Sequence, residues 1–353
     1  MASPHRRRLR PALVFTAVGV LVCAGCVRPA GGARTEEPNK VTVACGATEE
    51  WCAAMTAAFT AKTGIAAEFV RLSSGEAQAR ILAARDNPEF DVWHGGPADG
   101  YAAAVGHGLL ERYVSPNAAD IPARYKDADG RWTGVYVGVL GFCDNTRVLG
   151  EKRVQAPRSW QSLLDPALKQ NVGIAHPVTS GTAYTALWTQ VTLNGGAADA
   201  ALRYMKQLHP NVLQYSKSGA APAQQVARGE IGVGVVFSHD CVATREQGFT
   251  DLTVTFPTEG TGYEVGGVAL IKGGPSPAAA KKYIDWALTP AAQEIGPTVR
   301  SYQAPTNPKA KRSDKAVDLS AVKLIDYDAA AAGALKSDLI RRFDAEVAQA
   351  PKS

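Results

Sequence analysis

The sequence predicts an α/β protein, and three observations carry that prediction. Short runs rich in β-branched and aromatic residues alternate with longer runs of helical character along most of the chain. Polar segments, the first three glycine-bearing, recur where extended runs finish and helical runs begin, at residues 73–76, 94–96, 179–182 and 238–240. No internal repeat and no heptad array competes with that pattern. Strands separated by helices indicate parallel βαβ units. Open parallel sheets bind ligands beyond the carboxyl ends of their strands, and two such sheets facing each other would enclose one ligand.

Taken in order, Val41-Thr42-Val43-Ala44 is the first strand. Residues 49–62 form a helix with Met55, Ala58 and Phe59 on one side, ended near Gly64. Residues 66–71 are a second strand, and Ser73 or Ser74 then caps a helix over 77–84. Phe90-Asp91-Val92-Trp93 is a third strand running into His94-Gly95-Gly96-Pro97. Residues 117–132 break the rhythm with Pro, Asp and Gly, and 134–142 are a long extended run. A new unit begins at Trp160 with a helix, then a short buried strand, Val172-Gly173-Ile174-Ala175, and a helix over 183–193. Further strands are expected at 231–237 and 266–271, an amphipathic helix at 278–288, and mostly helix over 319–348.

The first residues point to export. Arg6, Arg7, Arg8 and Arg10 form a basic region, and residues 12–22 are an apolar run too short for a stable membrane span. The run ends in Cys23-Ala24-Gly25-Cys26, where small residues precede a cysteine as in a bacterial lipoprotein signal, with Cys23 standing where leucine is usual. Residues 1–25 are therefore expected to leave as a signal peptide and Cys26 to carry lipid, with ordinary cleavage as the alternative. Residues 26–40 form a Pro-, Gly- and charge-rich tether. Loss of the four arginines takes the formal charge from +5 to +1, which offers no argument for nucleic acid.

Four cysteines remain: Cys45, Cys52, Cys143 and Cys241. An even count in an exported protein suggests disulfides. Three pairings are open in principle. Local closure favours Cys45 with Cys52, which leaves Cys143 with Cys241. Spacings typical of a four-thiolate zinc site are absent beyond the first pair, and no cofactor is expected.

One motif carries chemistry on its own. Thr179, Ser180 and Thr182 are N-cap types, Gly181 admits close backbone approach, and a helix follows. Unpaired N–H groups and the positive end of a helix make such a start an anion site. The competing reading is a plain N-cap. Ser238-His239-Asp240 holds the residue types of a hydrolytic triad, but sequence neighbours cannot form that geometry, and no Gly-x-Ser-x-Gly elbow occurs. No enzyme activity is expected.

A set of ordered motifs then resembles a known family. It comprises Asp91-Val92-Trp93-His94-Gly95-Gly96, Gly106-His107-Gly108-Leu109-Leu110-Glu111, Trp132-Thr133-Gly134-Val135-Tyr136-Val137-Gly138, and Pro157-Arg158-Ser159-Trp160 with Leu163-Leu164-Asp165-Pro166. Residues 179–184, Tyr215-Ser216-Lys217-Ser218-Gly219, Gly260-Thr261-Gly262-Tyr263-Glu264 and Lys281-Lys282-Tyr283-Ile284-Asp285-Trp286 follow. Together they resemble the solute-binding proteins of ABC importers, in the ferric-iron-binding-like branch that also holds binders of sugar phosphates and aminoethylphosphonate.

The resemblance implies a type II periplasmic-binding fold: two α/β lobes joined by two crossing strands and closing on ligand. Lobe 1 would comprise residues 41–139 and 265–304, and lobe 2 residues 140–264 and 305–353. It implies a monomeric lipoprotein on the outer face of the cytoplasmic membrane, serving a permease and ATPase. The ferric binders place adjacent tyrosines after the strand that here reads Val235-Val236-Phe237. This chain has Ser238-His239-Asp240 instead, so a ferric ion lacks its main anionic oxygen ligands. The implied ligand is a small phosphorylated or phosphonate solute, such as a hexose phosphate or aminoethylphosphonate. Ser180, Gly181 and Thr182 would hold the phosphate, helped by Ser74, Ser218 and Lys217. Asp240, His239, Glu264 and Glu76 would meet hydroxyls or an amine, and Thr179 and Gly95 complete the expected site. Glu76 also fits a capping box with Ser73. Iron or a thiamine phosphate remains the alternative ligand, a weak metal pair at His239 and Asp240 included, and ligand sensing the alternative role.

Overall fold

The computed structural model describes residues 39–349; the expected signal, Cys26 and most of the tether lie outside them. The chain begins with β1 (Lys40–Cys45), α1 (Glu49–Thr63), β2 (Ala66–Arg71), α2 (Ser74–Ala83), β3 (Val92–Pro97), α3 (Ala98–Gly106) and β4 (Leu110–Glu111). Short 3-10 turns lead to β5 (Thr133–Asn145) and α4 (Thr146–Lys152). Next come β6 (Val172–Ala175), α5 (Gly181–Leu193), α6 (Ala198–Leu208), β7 (Val212–Ser216), α7 (Ala221–Ala227), β8 (Val233–Phe237) and α8 (Ser238–Arg245). The chain finishes with β9 (Leu252–Thr255), β10 (Tyr263–Ile271), α9 (Pro277–Ala287), α10 (Pro290–Gln293), β11 (Ala304–Pro305) and α11 (Ala329–Phe343).

Two lobes share these elements. In the first, β1 lies parallel between β2 and β3, and β10 runs antiparallel beside β3. In the second, β6 lies parallel between β7 and β8. Strand β5 belongs to both. Residues 133–139 pair antiparallel with β10, and residues 140–145 pair antiparallel with β8 and β9. The sheets are thus mixed, not purely parallel as the alternation suggested, because the crossing strands enter each sheet from the other lobe. Each lobe has its own core. Phe59, Trp93, Tyr101 and Tyr283 centre the first, and Phe142, Tyr184, Leu187 and Phe343 the second.

Most elements form where the residue pattern puts them, and local chemistry explains their ends. Helix α1 stops at Gly64, whose φ of 72° is left-handed and whose N–H bonds the Thr60 carbonyl. Helix α2 begins in a capping box. The Ser73 backbone N–H and hydroxyl donate to Glu76 Oε2 at 3.1 and 2.6 Å, a motif worth about 1 kcal/mol. Helix α5 is buried on nearly every side, since it packs against α6 and α11 while its start faces the other lobe.

Two expectations change. Strand β3 starts later than residue 90 and continues through His94, Gly95 and Gly96, which pair with β1 or lie beside β10. The turns after Trp160 are 3-10, not α. The sulfurs of Cys45 and Cys52 lie at bonding distance, 1.99 Å, as do those of Cys143 and Cys241, 2.01 Å.

The lobes touch across the rim. The Gly75 N–H donates to the Thr179 carbonyl at 2.9 Å. A Cβ on Gly75 would stand 2.1 Å from the Val178 carbonyl oxygen, and one on Gly181 2.6 Å from Pro97 Cδ. Only glycine permits either approach.

Asp144 is a cost inside the second lobe. One carboxyl oxygen accepts from Thr255 Oγ1 at 2.6 Å, and the other is buried without a partner. Burial pushes its pKa up to about 7, against the opposing pull of the Thr255 bond and Arg158. A carboxyl whose folded pKa exceeds its unfolded one holds its proton more tightly when folded. Its stability contribution is therefore complete below about pH 4 and lost as pH rises toward 7. Asp144→Asn should remove a loss on the order of a few kcal/mol. Urea unfolding at pH 4.5 and pH 8 should show a smaller difference for the variant than for the wild type.

Candidate functional site

A cavity of about 60 Å³ lies between the lobes, with room for only a few waters. Its walls are mostly helix beginnings. From the first lobe come Thr48, the N-cap position of α1, Ser73 and Ser74 at the start of α2, and Pro97 before α3. From the second come Ser180, Gly181 and Thr182 at the start of α5, Ala220 before α7, and His239 and Asp240 in the first turn of α8. A helix beginning has N–H groups without partners inside the helix and carries a partial positive charge. Several aimed at one space form an anion site.

The polar groups of one wall converge closely. Ser180 caps α5, accepting from the Ala183 N–H at 3.4 Å. A Cβ on Gly219 would lie 2.0 Å from Thr182 Oγ1 and 2.9 Å from Ser180 Oγ, so the bare backbone at 219 keeps both hydroxyls together. Ser74 Oγ comes from the opposite lobe to within 3.1 Å of a Cβ position on Gly181.

The floor has different chemistry. Glu264 on β10 stands opposite Gly138 on β5. A Cβ on Gly138 would meet Glu264 Oε1 at 2.8 Å and His239 Nδ1 at 3.0 Å. The missing side chain is what lets the two functional groups lie side by side over the hinge. His239 Nδ1 is buried with no partner, and burial lowers its pKa to about 3, so the ring is neutral. Burial pushes Asp240 up to about 7, with the Arg71 guanidinium pulling the other way. Glu264 is raised well above the carboxylate range by burial, then by the negative charges of Asp240 and Asp99.

Of the expected site residues, Ser74, Ser180, Gly181, Thr182, Ser218, His239, Asp240 and Glu264 line this cavity. Three do not. Glu76 is held by its capping box, which lowers its pKa chiefly through the Ser73 side-chain bond. Gly95 lies within β3, its carbonyl accepting from Tyr101 Oη at 3.0 Å. Thr179 uses its carbonyl at the rim and its hydroxyl on the Lys217 carbonyl at 2.9 Å. The Lys217 side chain is not part of the lining either.

The sequence reading missed Arg71, Tyr136 and Gln303, all in the lining. Arg71 ends β2 and anchors its Nε to the Ala47 carbonyl at 3.1 Å. Its signal was a basic residue at the carboxyl end of a strand. Tyr136 donates nothing visible in sequence; its hydroxyl accepts from the Gly96 N–H at 3.1 Å. Among the described residues no cluster of three or more His, Cys, Asp or Glu side chains is arranged to hold a metal ion.

Comparison with known proteins assigns the family. Residues 54–323 match the model of the bacterial extracellular solute-binding proteins, and the chain belongs to that family. It is 40% identical to the periplasmic binding protein AfuA of Actinobacillus pleuropneumoniae, solved with exogenous fructose-6-phosphate bound, over 88% of this chain and 99% of that one, with a TM-score of 0.85. It is 31% identical to the periplasmic binding protein P5PA over 88% and 99%, with a TM-score of 0.83. A Salmonella typhimurium protein named as a candidate 2-aminoethylphosphonate-binding periplasmic protein is 27% identical over 76% of this chain and 80% of its own. The ferric binding protein of Campylobacter jejuni shares the fold at 19% identity, over 86% of this chain and 98% of its own, with a TM-score of 0.73.

Gly138→Ala should force Glu264 and His239 apart in a closely packed floor. Such overpacking typically costs ~1–3 kcal/mol, which chemical denaturation of the ligand-free protein would measure.

Proposed function

We propose that this extracellular solute-binding protein captures a small organic phosphate or phosphonate, a hexose phosphate foremost, and delivers it to an ABC permease. The observation that carries the reading is the polarity of the cavity. One side offers helix starts and hydroxyls, and the floor offers Asp240, His239 and Glu264. The phosphate would sit against Ser74, Ser180, Gly181, Thr182 and Ser218, with Arg71 as the nearby cation. Hydroxyls would donate to Asp240 and Glu264, and His239 would use its unpartnered Nδ1. Donors already fixed by the fold bind without further ordering. That AfuA, 40% identical, has been solved with fructose-6-phosphate bound supports a hexose phosphate as the ligand class.

The same reading takes residues 41–139 and 265–304 as lobe 1 and residues 140–264 and 305–353 as lobe 2. The packing of Ala332, Leu339 and Phe343 in the second core supports the assignment of the C-terminal helix. It also takes Cys26 as a lipid anchor on the outer face of the cytoplasmic membrane and the two cysteine pairs as disulfides of the exported protein.

A ligand panel tests the proposal. Fructose 6-phosphate or glucose 6-phosphate should raise the melting temperature through binding to the folded state, and ferric citrate should not. A shift with ferric citrate alone rejects the reading. Asp240→Ala should weaken hexose-phosphate binding at least tenfold, about the worth of a hydrogen bond to a charged group, while leaving inorganic phosphate unchanged. Thr182→Val should weaken both.

Affinity should also depend on pH. Asp240 accepts from hydroxyls best as a carboxylate, a form depleted below about pH 7. Hexose-phosphate affinity should rise from pH 5.5 to pH 8 and rise less in Asp240→Asn, as calorimetry would show.

A further inference from the structure

Helix α11 joins the lobes outside the lining of the interlobe cavity. Its residues Ala332, Leu339 and Phe343 lie in the second core, yet it also packs along α3 of the first lobe. Gly333 permits that approach, since a Cβ there would stand 2.8 Å from the Ala103 nitrogen. Within this contact Lys336 Nζ reaches Asp99 Oδ2 at 2.5 Å. Both side chains are almost fully shielded, at 6% and 0% exposure. Tyr327 Oη donates to the other Asp99 oxygen at 2.7 Å. Lys336 Nζ also lies 4.7 Å from the centre of the Tyr184 ring, whose hydroxyl donates to the Ala332 carbonyl at 2.6 Å.

The two ends of this contact lead straight to the cleft. Asp99 is two residues beyond Pro97, and Tyr184 two beyond Thr182, both of which line it. Asp99 is also near enough to raise the pKa of Glu264 at the floor. We propose that the Lys336–Asp99 pair is an interlobe latch, which assembles as the lobes meet and sets how tightly the cleft holds a ligand that neither residue touches. The proposal rests on the reading of the cleft as the ligand site. A cavity this small must open to admit an organic solute. Opening would carry Lys336 away with the second core and return both charges to water. Closing with one partner missing buries an uncompensated charge, whereas replacing both partners by neutral groups of similar volume is often nearly neutral.

The test compares Lys336→Met, Asp99→Asn and the double variant. With fructose 6-phosphate as probe, each single variant should bind at least tenfold more weakly, mainly through faster release, and the double variant should return to within about threefold of wild type. A ligand-free arm reads the rim directly. Amide exchange at Gly75, whose N–H bonds Thr179 across the lobes, should be at least tenfold faster in Lys336→Met, while Val43 and Val235 in the two cores exchange as in wild type. Unchanged Gly75 exchange, or equal acceleration at all three amides, overturns the latch and leaves an ordinary buried ion pair. So does a double variant as weak as the singles. If fructose 6-phosphate fails to bind the wild type, the ligand assignment falls, and the exchange arm alone decides the latch.

Discussion

The antiparallel pairing of β5 with β10 is the constraint on which the rest depends. These two strands cross between the lobes, and their register sets Glu264 opposite Gly138. Strand β5 then continues into the second sheet beside β8, whose end starts α8 and so delivers His239 and Asp240 to the same floor. One register slip would turn Glu264 to the opposite face of the sheet. The ladder therefore fixes hinge and recognition chemistry together.

Around that floor, the βαβ arrangement brings strand ends and helix starts to one place. The first lobe contributes α1 and α2, the second α5, α7 and α8. The resulting field favours an anion without relying on a row of lysines. Burial raises the pKa of both carboxyl groups below it, and the charge of Asp240 raises that of Glu264 further, so the cavity is polarised from wall to floor. A ligand with an anionic head and a hydroxylated body fits that gradient in one orientation.

Local patterns were legible in the sequence, and long-range ones were not. Ser180 through Thr182 could be read because an N-cap is a property of adjacent residues. Glu76 carried two readings, and the capping box prevailed because Ser73 lies three residues away whatever the rest of the chain does. Strand β3 ran past its expected end because Gly95 and Gly96, with φ of 84° and 89°, look like a turn until β10 is placed beside them. Arg71, Tyr136 and Gln303 come from a strand end, a crossing strand and a late loop, and only the tertiary fold brings them together. The contact between Asp99 and Lys336 spans 237 residues and leaves no local trace.

The rim contact between Gly75 and Thr179 has a consequence for how such a protein changes over generations. It is made by a main-chain N–H and a main-chain carbonyl, so it does not depend on which side chains line the interior. Substitutions at the floor can retune chemical taste while the clasp that joins the lobes stays the same. Recognition and closure can thus drift separately, which suits one architecture to many solutes.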